Sequence, residues 1–254
     1  MQDVKGKYIW IIGASSGIGA SLAKELANHG AIIALSARRE ALLMQLKDEL
    51  TGSSHITIPF DISDCSQTLK AKEEILKNLP HIDSAIFMAA SYTEHDGGHK
   101  PIDVIKTMID VNLIGAFNML EAITPVFEQR QTGQIVLCAS VAGYRGLPSG
   151  QPYCATKAAL ISLAESLKID NEAKNIDVKL ICPGFVKTPL TDKNKFTMPM
   201  IISSEKAAQY IHKGLCSNKF EIHFPMKFTL MMKILKTMPS RLYFLIARRL
   251  KSKL

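Results

Sequence analysis

Short apolar runs alternate with segments of helical periodicity along most of this chain, and no other feature restricts its fold as much. Residues 8–12, 31–36, 57–60, 84–88, 134–139 and 178–181 are short and rich in Ile, Val and Leu. Runs of that length without polar alternation fit parallel strands buried on both faces. Between them, residues 18–29, 40–49, 66–78, 102–130, 153–175 and 204–213 carry apolar residues at helical spacing. Strand–helix–strand units repeated in this way wind into one parallel sheet with helices on both faces. Residues 220–224 read as a last strand, which predicts a doubly wound Rossmann-type α/β domain over residues 1–224, with about seven strands. No internal repeat, low-complexity tract or interdomain linker interrupts the pattern.

The 254 residues are 47% apolar, enough for a substantial core in one domain. No uncharged apolar stretch reaches the roughly 18 residues that a spanning helix needs. The amino end, from Met1 to Lys7, lacks an apolar signal-peptide core. Cys65, Cys138, Cys154, Cys182 and Cys216 are scattered without paired metal spacing, so free thiols in a reducing cytoplasm are expected. The seven histidines show no metal spacing and read as surface or loop residues. Neither a metal nor a nucleic-acid partner is expected.

Charge is uneven. Eight of the 31 basic residues (Lys227, Lys233, Lys236, Arg241, Arg248, Arg249, Lys251 and Lys253) fall in residues 225–254, which hold no Asp or Glu. The rest of the chain balances its 23 acidic residues, so the formal net charge of +8 belongs to this tail. Phe228, Met231, Met232, Leu235 and Met238 recur at spacings of three and four and predict one apolar helical face. Pro239 breaks the pattern, and Ser240 can cap a second helix over residues 242–250. Each piece is too short to span a bilayer. A basic amphipathic pair suits peripheral attachment to an anionic membrane; the same helices could instead cover the domain's own core or a subunit interface.

Two local patterns carry chemistry. Gly13-Ala14-Ser15-Ser16-Gly17-Ile18-Gly19 lies between the first predicted strand and the first predicted helix. A glycine-rich turn there can hold a dinucleotide pyrophosphate against the helix amino terminus. Tyr153 and Lys157 are four residues apart and share a helix face. The ammonium favours the phenolate, so Lys157 can lower the Tyr153 pKa from about 10 toward neutrality and make it a proton donor or acceptor.

With Ser140 thirteen residues before Tyr153, these patterns resemble the short-chain dehydrogenase/reductase family, and the resemblance runs from about Gly6 to about Phe224. It implies a catalytic set of Asn112, Ser140, Tyr153 and Lys157. Ser140 would hydrogen-bond the substrate oxygen. Lys157 would hold the nicotinamide ribose, and Asn112 would fix a water that returns protons from bulk. Gly13, Ser15, Ser16, Gly17, Ile18 and Gly19 would cradle the phosphates. Asp61 and Ile62 match the family's adenine contact, although Asp61 could equally cap the next helix. Pro183, Gly184, Val186 and Thr188 would lie beneath the nicotinamide, Val186 through its backbone N–H. The family also implies a homodimer or homotetramer formed through its two long helices.

Several positions depart from the family pattern. Ile12 stands where Thr is usual, and Phe87-Met88-Ala89-Ala90 replaces Asn-Asn-Ala-Gly. Ala89 and Ala90 remain small where the backbone passes the riboses. At the second strand end, Ala37 stands where NAD-preferring members carry an acid, and Arg38 and Arg39 follow. Arginine matches a 2′-phosphate, so NADP(H) is the expected cofactor over NAD(H), with Arg38 the better candidate of the two. The expected reaction is carbonyl–alcohol interconversion on a small molecule. The alternative is a catalytically silent dinucleotide-binding sensor or scaffold held at a membrane by its tail. The loop at 188–200 is expected to bind substrate, and its sequence does not name one.

Overall fold

One strand serves two cores because its side chains alternate. On β1 (Tyr8–Ile12), Trp10 and Ile12 pack into one cluster while Ile9 and Ile11 pack into another, and all four are buried. The buried indole N–H of Trp10 donates to Ser36 Oγ at 2.9 Å, so this donor is not stranded in the core. The structure is a computed structural model and describes residues 1–93, 100–194 and 197–251. Lys195 and Phe196 of the expected substrate loop, and Lys253 of the basic tail, lie outside the described residues.

β1 is joined by β2 (Ile32–Ser36), β3 (Ile56–Thr57), β4 (Ser84–Phe87), β5 (Gly133–Cys138), β6 (Ile176–Pro183) and β7 (Glu221–Phe224). All pair in parallel, in the order β3-β2-β1-β4-β5-β6-β7. The strand order reverses between β1 and β4, where open α/β sheets bind ligands at the strands' carboxyl ends. On the Ile9 side lie α1 (Gly17–Asn28) and α2 (Glu40–Asp48), with Leu22, Leu26 and Leu43 in the core. On the Trp10 side lie α3 (Cys65–Asn78) and, after α4 (Ile102–Ile109), α5 (Gly115–Arg130) and α6 (Tyr153–Asp170). Their Ile75, Phe127 and Leu160 close that core. Helix α7 (Ser204–Leu215) returns to the first side through Ala207 and Ile211 and packs on α1.

Several elements differ from the sequence expectation, β6 among them, which runs over Ile176–Pro183 against the expected 178–181. The helix expected over 102–130 is interrupted by a π-helical turn at Asp110–Ile114. Helix α6 stops at Asp170, and Asn175 takes a left-handed conformation before β6. Strand β3 shortens to two residues, but Ile58 and Phe60 still donate to the Leu35 and Ala37 carbonyls at 2.9 and 3.2 Å.

After β7 come α8 (Met226–Thr237) and α9 (Ser240–Lys251), separated at Pro239. The apolar face expected on α8 is split. Phe228, Met232 and Leu235 turn toward the Trp10-side core, whereas Met231 is exposed with Leu230 and Ile234. Spacing alone could not say which of two adjacent apolar rows meets the sheet. Truncating Phe228 to Ala would cost about 3–5 kcal/mol. Among the described residues, no helix is long and apolar enough to cross a membrane.

Candidate active site

The carboxyl ends of the strands frame a cleft of about 370 Å³ lined by the glycine turn, Arg38, Arg39, Ser140, Tyr153, Lys157 and the 183–191 segment. Its floor depends on missing side chains. Gly13 has φ +93°, and a Cβ there would come within 2.5 Å of the Ala89 amide nitrogen. A Cβ on Gly19 would overlap the Gly13 carbonyl oxygen. The Gly13 and Ala14 amides donate to the Ser36 carbonyl at 2.7 and 3.1 Å, which pins the turn to β2. Ser16 occupies the cap position of α1 without capping it, and the first turn holds no acid. The free amides at this helix start fit a pyrophosphate. The backbone of Met88 and Ala89 fills the space that a side chain on Gly13 would need.

The two arginines are placed differently from each other. Arg39 Nη2 donates to Ser15 Oγ at 2.9 Å and Ser16 Oγ at 2.8 Å, so it braces the glycine turn and is no mere surface charge. Arg38 is largely exposed at the cleft edge, 3.8 Å from Asp61. Asp61 does not cap α3: Asp64 does, accepting from the Gln67 amide at 3.1 Å, while Asp61 accepts from Ser63. Asp61 and Ile62 both line the cleft.

Ser140 follows β5, Tyr153 opens α6, and Lys157 lies one turn further along that helix. Lys157 is buried; its Nζ donates to the Cys138 carbonyl at 2.8 Å and sits 5.6 Å from the centre of the Tyr153 ring. The expected lowering of the Tyr153 pKa is not what these groups produce. Burial is the largest influence and pushes the phenol above its ordinary value; neighbouring Cys138 adds to this, and a hydrogen bond with Ser140 opposes it. Burial likewise lowers the Lys157 ammonium below its ordinary value. Desolvation thus works against the charged form of both groups.

Asn112 sits in the π-helical turn and is fully buried. Its Oδ1 accepts from the Ser91 amide at 2.6 Å, and its Nδ2 donates to the Ser91 carbonyl at 3.0 Å and to Thr156 Oγ1 at 3.2 Å. It thus ties the segment after β4 to α6, and it makes no direct contact with Lys157 among these bonds. Pro183, Gly184, Val186 and Thr188 line the opposite wall, and Ala90 lies beside Ala89. A Cβ on Gly17 would meet Thr188 Cγ2 at 3.1 Å, so this wall closes against the glycine turn.

Two features escaped the sequence. Tyr92 stands edge-on to Tyr153, with ring centroids 5.3 Å apart, and its hydroxyl donates to Asn194 at 2.9 Å. No spacing rule links those positions. Away from the cleft, Glu25 of α1, His29 just past its end and His212 of α7 bring ligand-type atoms within 4.8 Å of one another, and His212 Nδ1 lies 2.9 Å from Glu25 Oε1. The histidines are therefore not all surface residues: His55 is buried and receives the Ile33 amide at 3.0 Å.

A family model described as short chain dehydrogenase matches residues 7–198. An uncharacterized oxidoreductase of Myxococcus xanthus is 30% identical over 253 residues, 99% of this chain and 100% of that protein. The ketoacyl reductase HetN of a Nostoc species is 27% identical over 228 residues, covering 87% of this chain and 79% of its own. A solved short chain dehydrogenase of Burkholderia cenocepacia, in complex with NADP, has a TM-score of 0.81 at 20% identity, covering 95% of this chain and 97% of that one. A short chain dehydrogenase/reductase of Burkholderia phymatum, in complex with NAD, has a TM-score of 0.83 at 22% identity, covering 92% and 94%. At these identities the solved structures speak for the fold, and the family match spans more than half of the chain. This chain therefore belongs to the short-chain dehydrogenases and is an NAD(P)-dependent oxidoreductase of that family.

Proposed function

We propose that the protein interconverts a lipophilic carbonyl and its alcohol with NADP(H). The observation that carries this reading is the convergence of Ser140, Tyr153 and Lys157 on the cleft that holds the glycine turn and both arginines. When bound, the nicotinamide supplies or takes the hydride at the carbonyl carbon. Tyr153 gives its phenolic proton to the carbonyl oxygen in reduction and reclaims it in oxidation. Ser140 positions that oxygen. Lys157 holds the ribose hydroxyls, and Asn112 keeps the segment at Ser91 in register with α6. The absence of an acid at Ala37 and the placement of Arg38 at the cleft edge support NADP(H) over NAD(H).

The test is NADPH oxidation across carbonyls of graded chain length, with NADH in parallel. Turnover should rise with chain length and be lost in Tyr153→Phe, which should still bind NADPH. Binding without turnover of any carbonyl would favour a silent sensor. The ketoacyl reductase among the relatives makes acyl carbonyls the first class to try.

The lipophilic part of the reading rests on the tail. Leu230, Met231 and Ile234 of α8, and Leu242, Phe244 and Leu245 of α9, are exposed, among Lys227, Arg241, Arg248 and Arg249 and without an acidic residue. Exposed apolar rows set among cations match an anionic lipid surface. The full chain should float with phosphatidylserine vesicles, less so in high salt, and a variant with Leu230, Ile234, Phe244 and Leu245 changed to Ser should not. Exposed Phe117 on α5 and Ile169 on α6 support a homo-oligomer through the long helices, which light scattering would size.

A further inference from the structure

The segment 144–152 connects the two halves of the reactive site, leaving Ser140 through the turn Val141–Gly143 and entering α6 at Tyr153. At its start Tyr144 is buried, and its hydroxyl donates to Glu221 of β7. The Gly150 amide donates to the Leu147 carbonyl at 3.0 Å, and the Cys154 amide to the Gly150 carbonyl at 2.7 Å. A further hold on it comes from the tail. Arg145 Nη1 donates to the carbonyls of Leu235, Lys236 and Met238 at 3.0, 3.1 and 2.5 Å, and Nη2 reaches Ser240 Oγ at 3.4 Å. The first two carbonyls belong to the last turn of α8, where Leu235 receives only a long bond from the Met238 amide, at 3.4 Å. A cation there also meets the negative end of the helix dipole. The guanidinium carbon lies 4.1 Å from the centre of the Tyr243 ring of α9, and the Tyr243 hydroxyl donates to the Gly146 carbonyl. Tyr243 is 4% exposed. Helices α8 and α9 thus grip two consecutive residues of the segment that spaces Ser140 from Tyr153.

The same tail touches the facing wall of the cleft. A Cβ on Gly184 would come within 2.7 Å of Phe228 Cδ1, and the rings of Phe185 and Phe228 lie 5.4 Å apart.

We infer that Arg145 is a positioning residue, through which α8 and α9 lock the 144–152 segment and hold Ser140 and Tyr153 at reacting distance. On the reading of the site proposed above, the tail is then a working part of the reductase as well as a basic appendage. A guanidinium suits the task because one planar group must serve several carbonyls and an aromatic face together. A loss of this grip displaces the proton donor relative to the substrate oxygen and leaves the phosphate cradle untouched.

Hydrogen exchange on the full-length protein tests this without a known substrate. In Arg145→Ala, amides of 144–152 and of 235–247 should lose protection together, while those of 13–19 and the affinity for NADPH stay within about twofold of wild type. Tyr243→Phe, which removes only the hydroxyl, should reproduce the change in 144–152 in weaker form. Arg145→Lys should restore it in part. With any carbonyl found to turn over, kcat should fall roughly tenfold or more in Arg145→Ala with little change in KM, as a small misplacement of reacting groups predicts. Unchanged exchange in 144–152 in Arg145→Ala, or in both Tyr243→Phe and Arg145→Lys should Arg145→Ala fail to fold, overturns the inference. Coupled exchange with no turnover on any carbonyl would leave the coupling standing and defeat the reductase reading instead.

Discussion

Lys157 donates to the Cys138 carbonyl at 2.8 Å, and this bond holds its ammonium against β5 rather than on the Tyr153 hydroxyl. A lysine tied to the strand can steady a ribose, but the phenol beside it stays desolvated and protonated. The Tyr153 pKa in the cofactor-free protein is therefore above 10, its ordinary value. Because the folded value is raised, the neutral phenol favours the fold up to pH 10, and this preference is lost as pH rises further. Phenolate absorbance in wild type minus Tyr153→Phe should show no titration below pH 10. Reduction, which needs the protonated form, should hold its rate from neutrality toward that pH. A step near pH 7 in the free protein would contradict this.

The arginines should separate by cofactor. Arg38, exposed at the cleft edge with only a 3.8 Å ion pair to Asp61, can turn to a 2′-phosphate, so Arg38→Ala should weaken NADPH binding roughly tenfold to hundredfold and leave NADH unchanged. Arg39 braces Ser15 and Ser16, so Arg39→Ala should weaken both cofactors alike, by roughly threefold to tenfold. Titration calorimetry with the two nucleotides reads the difference.

A methyl group added to Gly19 meets the Gly13 carbonyl, and neither backbone can yield without moving α1 or β1. Gly19→Ala should cost about 2–3 kcal/mol of stability in urea unfolding and abolish dinucleotide binding. Gly146→Ala, where a Cβ meets nothing within 4 Å, should change stability by no more than about 0.5 kcal/mol.

Glu221 on β7 receives Lys233 of α8 at 2.5 Å and the Tyr144 hydroxyl. Burial, the largest single influence, would raise its pKa, but these two hydrogen bonds together with the charges of Lys233 and His223 outweigh it and hold the carboxyl below its ordinary value of 4.5. Its contribution is then full above pH 4.5 and is lost as pH falls through the lower folded value. Glu221→Gln should cost about 1–3 kcal/mol at neutral pH. Hydrogen exchange in α8 of the wild type should rise as pH falls below 4.5, and Glu221→Gln should remove that rise.

The parts of this protein written in local pattern were legible without a structure. Buried parallel strands need continuous apolar runs, and a phosphate turn between strand and helix needs glycine. Tyr153 and Lys157, four residues apart, share one helix face. Those rules act over a few residues, so 8–12, Gly13 to Gly19, and the Tyr153–Lys157 pair could be read directly, and the sheet followed from their repetition.

What lay beyond sequence were contacts between residues far apart in the chain. Whether Phe228 or Met231 faces the core depends on where α8 lands beside β6 and β7. Whether Arg39 or Arg38 serves the glycine turn depends on side-chain reach across 23 residues. The Tyr153 pKa depends on burial, which a helical spacing does not contain. Arg145, 90 residues from its partner Leu235, acquires its grip on the tail only when β7 delivers α8 to that side of the cleft. Spacing determines which groups share a face, and tertiary packing decides what that face meets and how much water remains there.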